Sequence, residues 1–362
     1  MSHDPLVSPT IESLVPYEGG KPIEELAREL GVTDAVKLAS NENPLGPSPK
    51  AVEALRRALG EVHRYPDGAA YALREKLAAV HGVSMDEVLH GSGSAELLEL
   101  VVRTFSGPEH HIVFGEPAFV VYRIAALAHG VPFSAVPLRE MTHDLEAMAA
   151  AVRPNTRVLF VANPNNPTGT HVGRKAVERL LREVPPQVIV VMDEAYFEYA
   201  DAADYPDSLK LRDLRERLIV CRTFSKAYGL AALRVGYAVG PARLIEYMNR
   251  IRPAFNVGSL GQVAALAALD DHEHVRTSRE QNRTERARLI GELAGMGLAV
   301  APSQANFVLA DVARPARAVY DALLRRGVIV RPFGNLPTSL RITVGTAEQN
   351  HRLLAALRQV LG

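Results

Sequence analysis

VIVVMDEAY, residues 188–196, and LIVCRTFSK, residues 218–226, decide the fold. Each begins as an unbroken apolar run and ends in residues that carry chemistry. A continuously apolar run of this length fits a parallel strand covered on both faces. Polar residues at its end fall where open α/β sheets place their ligands, at the carboxyl edge. Outward from these two segments the same texture repeats. Strands are expected at 88–90, 111–114, 131–136, 157–161 and 235–239, with helices between them at 95–105, 119–128 and 175–182. That alternation predicts an α/β domain with a mostly parallel sheet.

The flanks differ. Residues 1–20 are punctuated by Pro5, Pro9, Pro16, Gly19 and Gly20 and read as an arm. Helices are expected at 22–30 and 50–59, the second capped by Ser48-Pro49. Beyond residue 275 a charged helix at 277–293 precedes short runs at 307–309, 328–331 and 340–344. Helices at 316–325 and 348–361 interleave with these runs, so helices on a small antiparallel sheet are expected. Three regions follow: 1–44 as arm and part of a small domain, 45–270 as the large domain, and 271–362 as the rest of the small one.

Composition narrows the function. Lys plus Arg and Asp plus Glu number 41 each, so net charge gives no case for a nucleic-acid or membrane partner. The one cysteine, Cys221, has no intrachain disulfide partner, and no metal-ligand spacing is present. No apolar run approaches the roughly 20 residues that span a bilayer, and the start does not read as a signal peptide. A soluble cytoplasmic chain is expected.

Four segments then supply candidate chemistry. Asp193 ends the first strand; a helix N-cap is its ordinary explanation. Thr223, Ser225 and Lys226 follow the second. Desolvation at a strand mouth makes a lysine nucleophilic toward carbonyls, although most lysines are simply solvated. Arg234 lies after the near-apolar GLAAL, where a guanidinium meets an anion more readily than water. The segment NPNNPTG, residues 163–169, is either a rigid turn or a device that holds an amide. The segment GSGSAE, residues 91–96, stands between a strand and a helix, where backbone N–H groups bind phosphate. It lacks the third glycine of G-x-G-x-x-G, which disfavours a dinucleotide. Together these give a lysine nucleophile, a carboxylate, a fixed amide and two anion sites, the set pyridoxal phosphate requires.

In order and spacing, Asn166, Asp193, Tyr196, Ser225-Lys226 and Arg234 resemble the fold-type-I pyridoxal-phosphate aminotransferases. The resemblance implies a seven-stranded, mostly parallel sheet in a large α/β/α domain, with a smaller α+β domain. It implies that Lys226 is the Schiff-base lysine and general acid/base, and that Asp193 pairs with the ring nitrogen. Asn166 and Tyr196 would hydrogen-bond the phenolic oxygen, and Phe119 would stack on the ring. Ser94, Ala95, Thr223, Ser225 and Arg234 would hold the phosphate. Arg341, in LRITVG, resembles the arginine that grips the substrate's anionic group.

Segments 15–26, 38–48, 63–68 and 328–334 resemble the members acting on histidinol phosphate with 2-oxoglutarate and glutamate. That likeness adds Tyr17, Asn43, Tyr65 and Arg331 to the substrate site. Tyr65 would reach across a homodimer and touch the neighbour's cofactor site. Ser92, Ala95 and Ala232 depart from residues frequent in the family, without removing backbone donors. Relatives acting on phenylalanine or tyrosine, threonine-phosphate decarboxylases, and inactive regulatory proteins of the same fold are the alternatives. Retention of Lys226 argues against the last.

Overall fold

The computed structural model describes residues 6–16 and 19–362. Thirteen strands are present among them. They are β1 (Val36–Lys37), β2 (Val88–Gly91), β3 (His111–Glu116), β4 (Phe133–Pro137), β5 (Thr156–Ala162), β6 (Ile189–Asp193), β7 (Leu218–Thr223), β8 (Gly236–Val239), β9 (Ala299–Val300), β10 (Phe307–Asp311), β11 (Val328–Ile329), β12 (Arg331–Phe333) and β13 (Leu336–Thr343). Seven of them form one sheet in the order β2-β8-β7-β6-β5-β3-β4. Pairing is parallel from β4 to β7, and β8 runs antiparallel to both β7 and β2. The expected mostly parallel α/β sheet is therefore present.

Strand side chains alternate between faces, and both faces are apolar. Val190, Met192, Leu218 and Val220 enter one core layer with the helices Tyr71–His81, Arg174–Glu183 and Ser259–Leu269. Ile189, Val191, Ile219 and Cys221 enter the other with the helices Gly93–Phe105, Val121–Ala128 and Ala242–Ile251. Double coverage explains why these strands read as continuous rather than alternating apolar runs.

A separate apolar cluster packs Leu26, Leu38, Leu289, Val308, Leu340, Ile342 and Leu353 around a second, antiparallel sheet ordered β12-β13-β10-β9. Segment 36–37 joins this region by pairing in parallel with β11. The run expected at 328–331 is two strands, because Val330 separates β11 from β12 and the chain changes sheet there. The charged helix extends over His272–Gly295, longer than expected, with Asp271 accepting from His274 N–H at its start.

Among the described residues, no helix is long and apolar enough to cross a membrane. None of their His, Cys, Asp or Glu groups forms a cluster able to hold a metal.

Candidate active site

β5, β6 and β7 end side by side, and their carboxyl edge opens on a cavity of about 510 Å³. Lys226 lies three residues beyond β7. Its Nζ donates to the Ser40 carbonyl at 3.3 Å and sits 5.7 Å from the centre of the Tyr196 ring. Burial, reinforced by the nearby Arg341 guanidinium, lowers its pKa to about 7. Near neutral pH a large share of this amine is unprotonated, as a nucleophile or general base requires.

Asp193, the last residue of β6, is buried. Its Oδ2 accepts from the Tyr122 hydroxyl at 2.6 Å. Its Oδ1 has no hydrogen-bond partner among the described residues. Burial pushes this carboxyl up to about 6, against the opposing pull of Tyr122. An unpaired buried carboxylate oxygen is costly. A protonated heterocyclic nitrogen entering the cavity would satisfy it, so the acid fits the ring of pyridoxal phosphate.

The anion cup lies beside it. Ser225 N–H donates to Thr223 Oγ1 at 3.1 Å, and Arg234 Nη1 donates to Ser225 Oγ at 3.1 Å. Ser94 and Ala95 line the same cavity from the first turn of the helix Gly93–Phe105. N–H groups of a first turn have no intrahelical partner and favour an anion. Gly93 has φ +76°, and a Cβ there would stand 2.2 Å from Arg234 Nη2. The left-handed φ is what favours glycine here, and a side chain would also displace the guanidinium from the cup. One guanidinium, two hydroxyls and a helix N-terminus fit a phosphate monoester.

Loop 163–169 ties itself down through Gly169 N–H to Asn165 C=O at 2.7 Å and Asn165 N–H to Thr170 C=O at 2.8 Å. So held, it presents Asn166, whose Oδ1 accepts from Arg341 Nη1 at 2.6 Å. Arg341 Nη2 donates to the Ala39 carbonyl at 2.6 Å. The buried Tyr196 hydroxyl accepts from Asn41 Nδ2 at 3.0 Å. Phe119, Asn166 and Arg341 also line a second cavity of about 470 Å³, together with Val15, Pro16 and Arg331. Arg331 Nη1 donates to the Gly19 carbonyl at 2.6 Å.

Two expected residues lie apart from this group. Asn43 Nδ2 is directed to the Ala227 carbonyl at 2.9 Å and to Ser278 Oγ at 2.8 Å, and Asn43 lines neither cavity. Tyr65 is 83% exposed, stacks on Phe255 at 4.8 Å and lines neither of these two cavities. Tyr17 lies outside the described residues.

The aminotransferase class I and II family matches residues 33–357. The chain belongs to that family. This aminotransferase is 51% identical over 360 residues to histidinol-phosphate aminotransferase 2 of Pseudomonas aeruginosa, covering 98% of each chain. It is 50% identical to the histidinol-phosphate aminotransferase of Moorella thermoacetica over 355 residues, 97% of this chain and 92% of the relative. The crystal structure of the Sinorhizobium meliloti histidinol-phosphate aminotransferase in complex with pyridoxal-5'-phosphate superposes with a TM-score of 0.91. It is 32% identical and covers 99% of this aminotransferase and 98% of that chain.

Sequence reasoning missed Tyr122, Asn41 and Ser40, which act on Asp193, Tyr196 and Lys226. It also missed the Glu116–Arg123 ion pair, 2.5 Å long, on the wall of the second cavity. Adjacency to EPAF, residues 116–119, was the one local signal for that pair.

Proposed function

We infer that this chain is a histidinol-phosphate aminotransferase that uses pyridoxal phosphate to exchange amino groups between histidinol phosphate and 2-oxoglutarate. Likeness at about half identity to relatives of that activity, running through nearly the whole chain, carries the reading. The site supplies a physical basis for it. Pyridoxal phosphate, when bound, supplies an electron-poor ring that lets a Cα proton leave.

The chain's residues do the rest. Asp193 Oδ1 would keep a proton on the ring nitrogen, with the carboxylate held by Tyr122. Asn166 and Tyr196 would hydrogen-bond the phenolic oxygen, and Phe119, on the cavity wall, would stack on the ring. Thr223, Ser225, Arg234 and the helix N-terminus with Ser94 and Ala95 would hold the phosphate. Lys226 Nζ would take the proton from the substrate Cα and deliver it to the cofactor-side carbon, the 1,3 shift that amino transfer requires.

Arg341 and Arg331 receive the substrate's anionic end with charge-assisted hydrogen bonds. An anion on Arg341 also offsets the positive field that depresses Lys226. The base is therefore strengthened once substrate is seated. Glutamate, a carboxylate in place of a phosphate ester, meets the same guanidiniums. We assign the arm with Tyr17 to closure over the substrate and Tyr65 to the neighbouring site of a cytoplasmic homodimer. The exposed phenol ring of Tyr65, stacked on Phe255, is consistent with such a contact. Residues 45–270 are read as the large domain, and 1–44 with 271–362 as the small one.

The deciding experiment compares kcat/KM for histidinol phosphate and phenylalanine with 2-oxoglutarate as acceptor. A clear preference for histidinol phosphate is expected. Preference for phenylalanine overturns the substrate assignment while leaving the transaminase intact.

A further inference from the structure

Turned away from Asp193 and Thr223 sits a set of charged groups that line neither cavity. Asp193 and Thr223 face the cavity. Strand alternation turns their neighbours Glu194 and Arg222 to the other side. Both are buried, at 0% and 3% exposure. Arg222 Nε and Nη2 donate to Glu194 Oε2 at 2.9 and 2.7 Å. Nη2 also meets Asp207 Oδ1 at 2.7 Å, and the guanidinium lies 3.4 Å over the Phe197 ring. Glu194 Oε1 accepts from Ser208 N–H at 3.1 Å. One guanidinium thus joins the end of β7 to the residue after β6 and to the 207–208 segment.

Removing such a pair from water is expensive, and apolar residues of similar volume often give equal or greater stability. Fold stability alone therefore does not call for it. Its position offers another reason. Backbone pairing between β6 and β7 runs out where Glu194 N–H donates to the Cys221 carbonyl at 2.9 Å. Asp193 stands immediately before that rung on β6, and Thr223 two residues past it on β7. On the reading given above, one rigid cofactor must touch both: the ring nitrogen at Asp193 and the phosphate at Thr223 and Ser225. Their spacing is set by the ligand and tolerates little drift.

We propose that Arg222 and Glu194 are positioning residues, a clamp behind the sheet that fixes the distance between the Asp193 carboxylate and the Thr223–Ser225 phosphate cup.

The test uses the full-length protein stripped of cofactor. Arg222→Met with Glu194→Leu removes the two buried charges together; Asp207, which loses its guanidinium, is a quarter exposed and keeps the Leu209 N–H. Pyridoxal phosphate affinity is read by fluorescence titration, and folding by the denaturant midpoint. The expected result is a midpoint close to that of the parent with affinity weakened about tenfold or more. Arg222→Lys keeps the charge but lacks the two-pronged donor; affinity intermediate between the parent and the double variant is expected. An unchanged affinity in a folded double variant overturns the clamp, as does full affinity in Arg222→Lys. Should the double variant not fold, Arg222→Lys alone decides. Parent protein that fails to take up pyridoxal phosphate refutes the functional reading instead, so the two failures are distinct.

Discussion

At the scale of single residues, two shifted groups set the behaviour of the site. Lys226 titrates near pH 7 in the folded chain against an ordinary 10.5. The unfolded chain binds the extra proton between those values, so stability contributed by this group rises with pH across that window. Capture of pyridoxal phosphate by the cofactor-free protein is expected to accelerate with a midpoint near pH 7. Arg341→Ala, by removing a neighbouring cation, should move that midpoint upward; stopped-flow absorbance across a pH series checks both. For Asp193, the hydroxyl of Tyr122 favours the ionised form. Hydrogen bonds to charged groups are worth about 1.5–3 kcal/mol, so Tyr122→Phe is expected to weaken cofactor affinity about tenfold or more, measured by titration. Asp193, Thr223 and Lys226 were legible in sequence because strand ends follow a local grammar. Tyr122 was not, since it stands in a helix 71 positions from its partner. Asn43 was placed in the substrate site by likeness, which locates a backbone position but not the direction of an amide. Here that amide faces Ala227 and Ser278.

At the scale of elements, the strands of the large sheet were readable because burial on both faces leaves no polar residue to interrupt them. Their directions were not. Nothing local distinguishes β8, antiparallel to its neighbours, from the parallel strands. The helix Ser259–Leu269, SLGQVAALAAL, escaped notice because it is apolar on nearly every side and shows no 3.6-residue period. Two-residue strands such as β1 and β9 are shorter than any periodic signal. The meeting of β8 with the helix Gly93–Phe105 was equally hidden. A Cβ on Gly236 would stand 2.6 Å from both Gly93 C and Ser94 N. Gly236→Ala must push that helix start away, at a cost of about 1–3 kcal/mol for overpacking. A lowered denaturant midpoint together with weaker cofactor affinity is expected. A loss of midpoint with unchanged affinity would mean the phosphate cup does not depend on this approach.

At the scale of the whole molecule, the two apolar bodies share one site. β13 carries Arg341 and Thr343, and Thr343 Oγ1 binds Asn41 Oδ1 at 3.1 Å beneath Tyr196. If the site is also shared between two copies, complementation reveals it. Lys226→Ala protomers mixed with Tyr65→Phe protomers should give hybrids in which one site carries both lesions and the other none. Activity above the sum of the two separate variants is expected; no gain would place Tyr65 with its own chain's site or outside it. Composition was silent on this point, because a tyrosine at a subunit boundary and one in solvent look alike in a list. The order of the parts also bears on synthesis. The amine-bearing segment emerges from the ribosome well before the strand that brings the guanidinium to Asn166 and Ala39. On the assignments above, a growing chain carries the residues for the prosthetic group before Arg341 exists, so the grip on the substrate's anionic end waits for the last strand to fold.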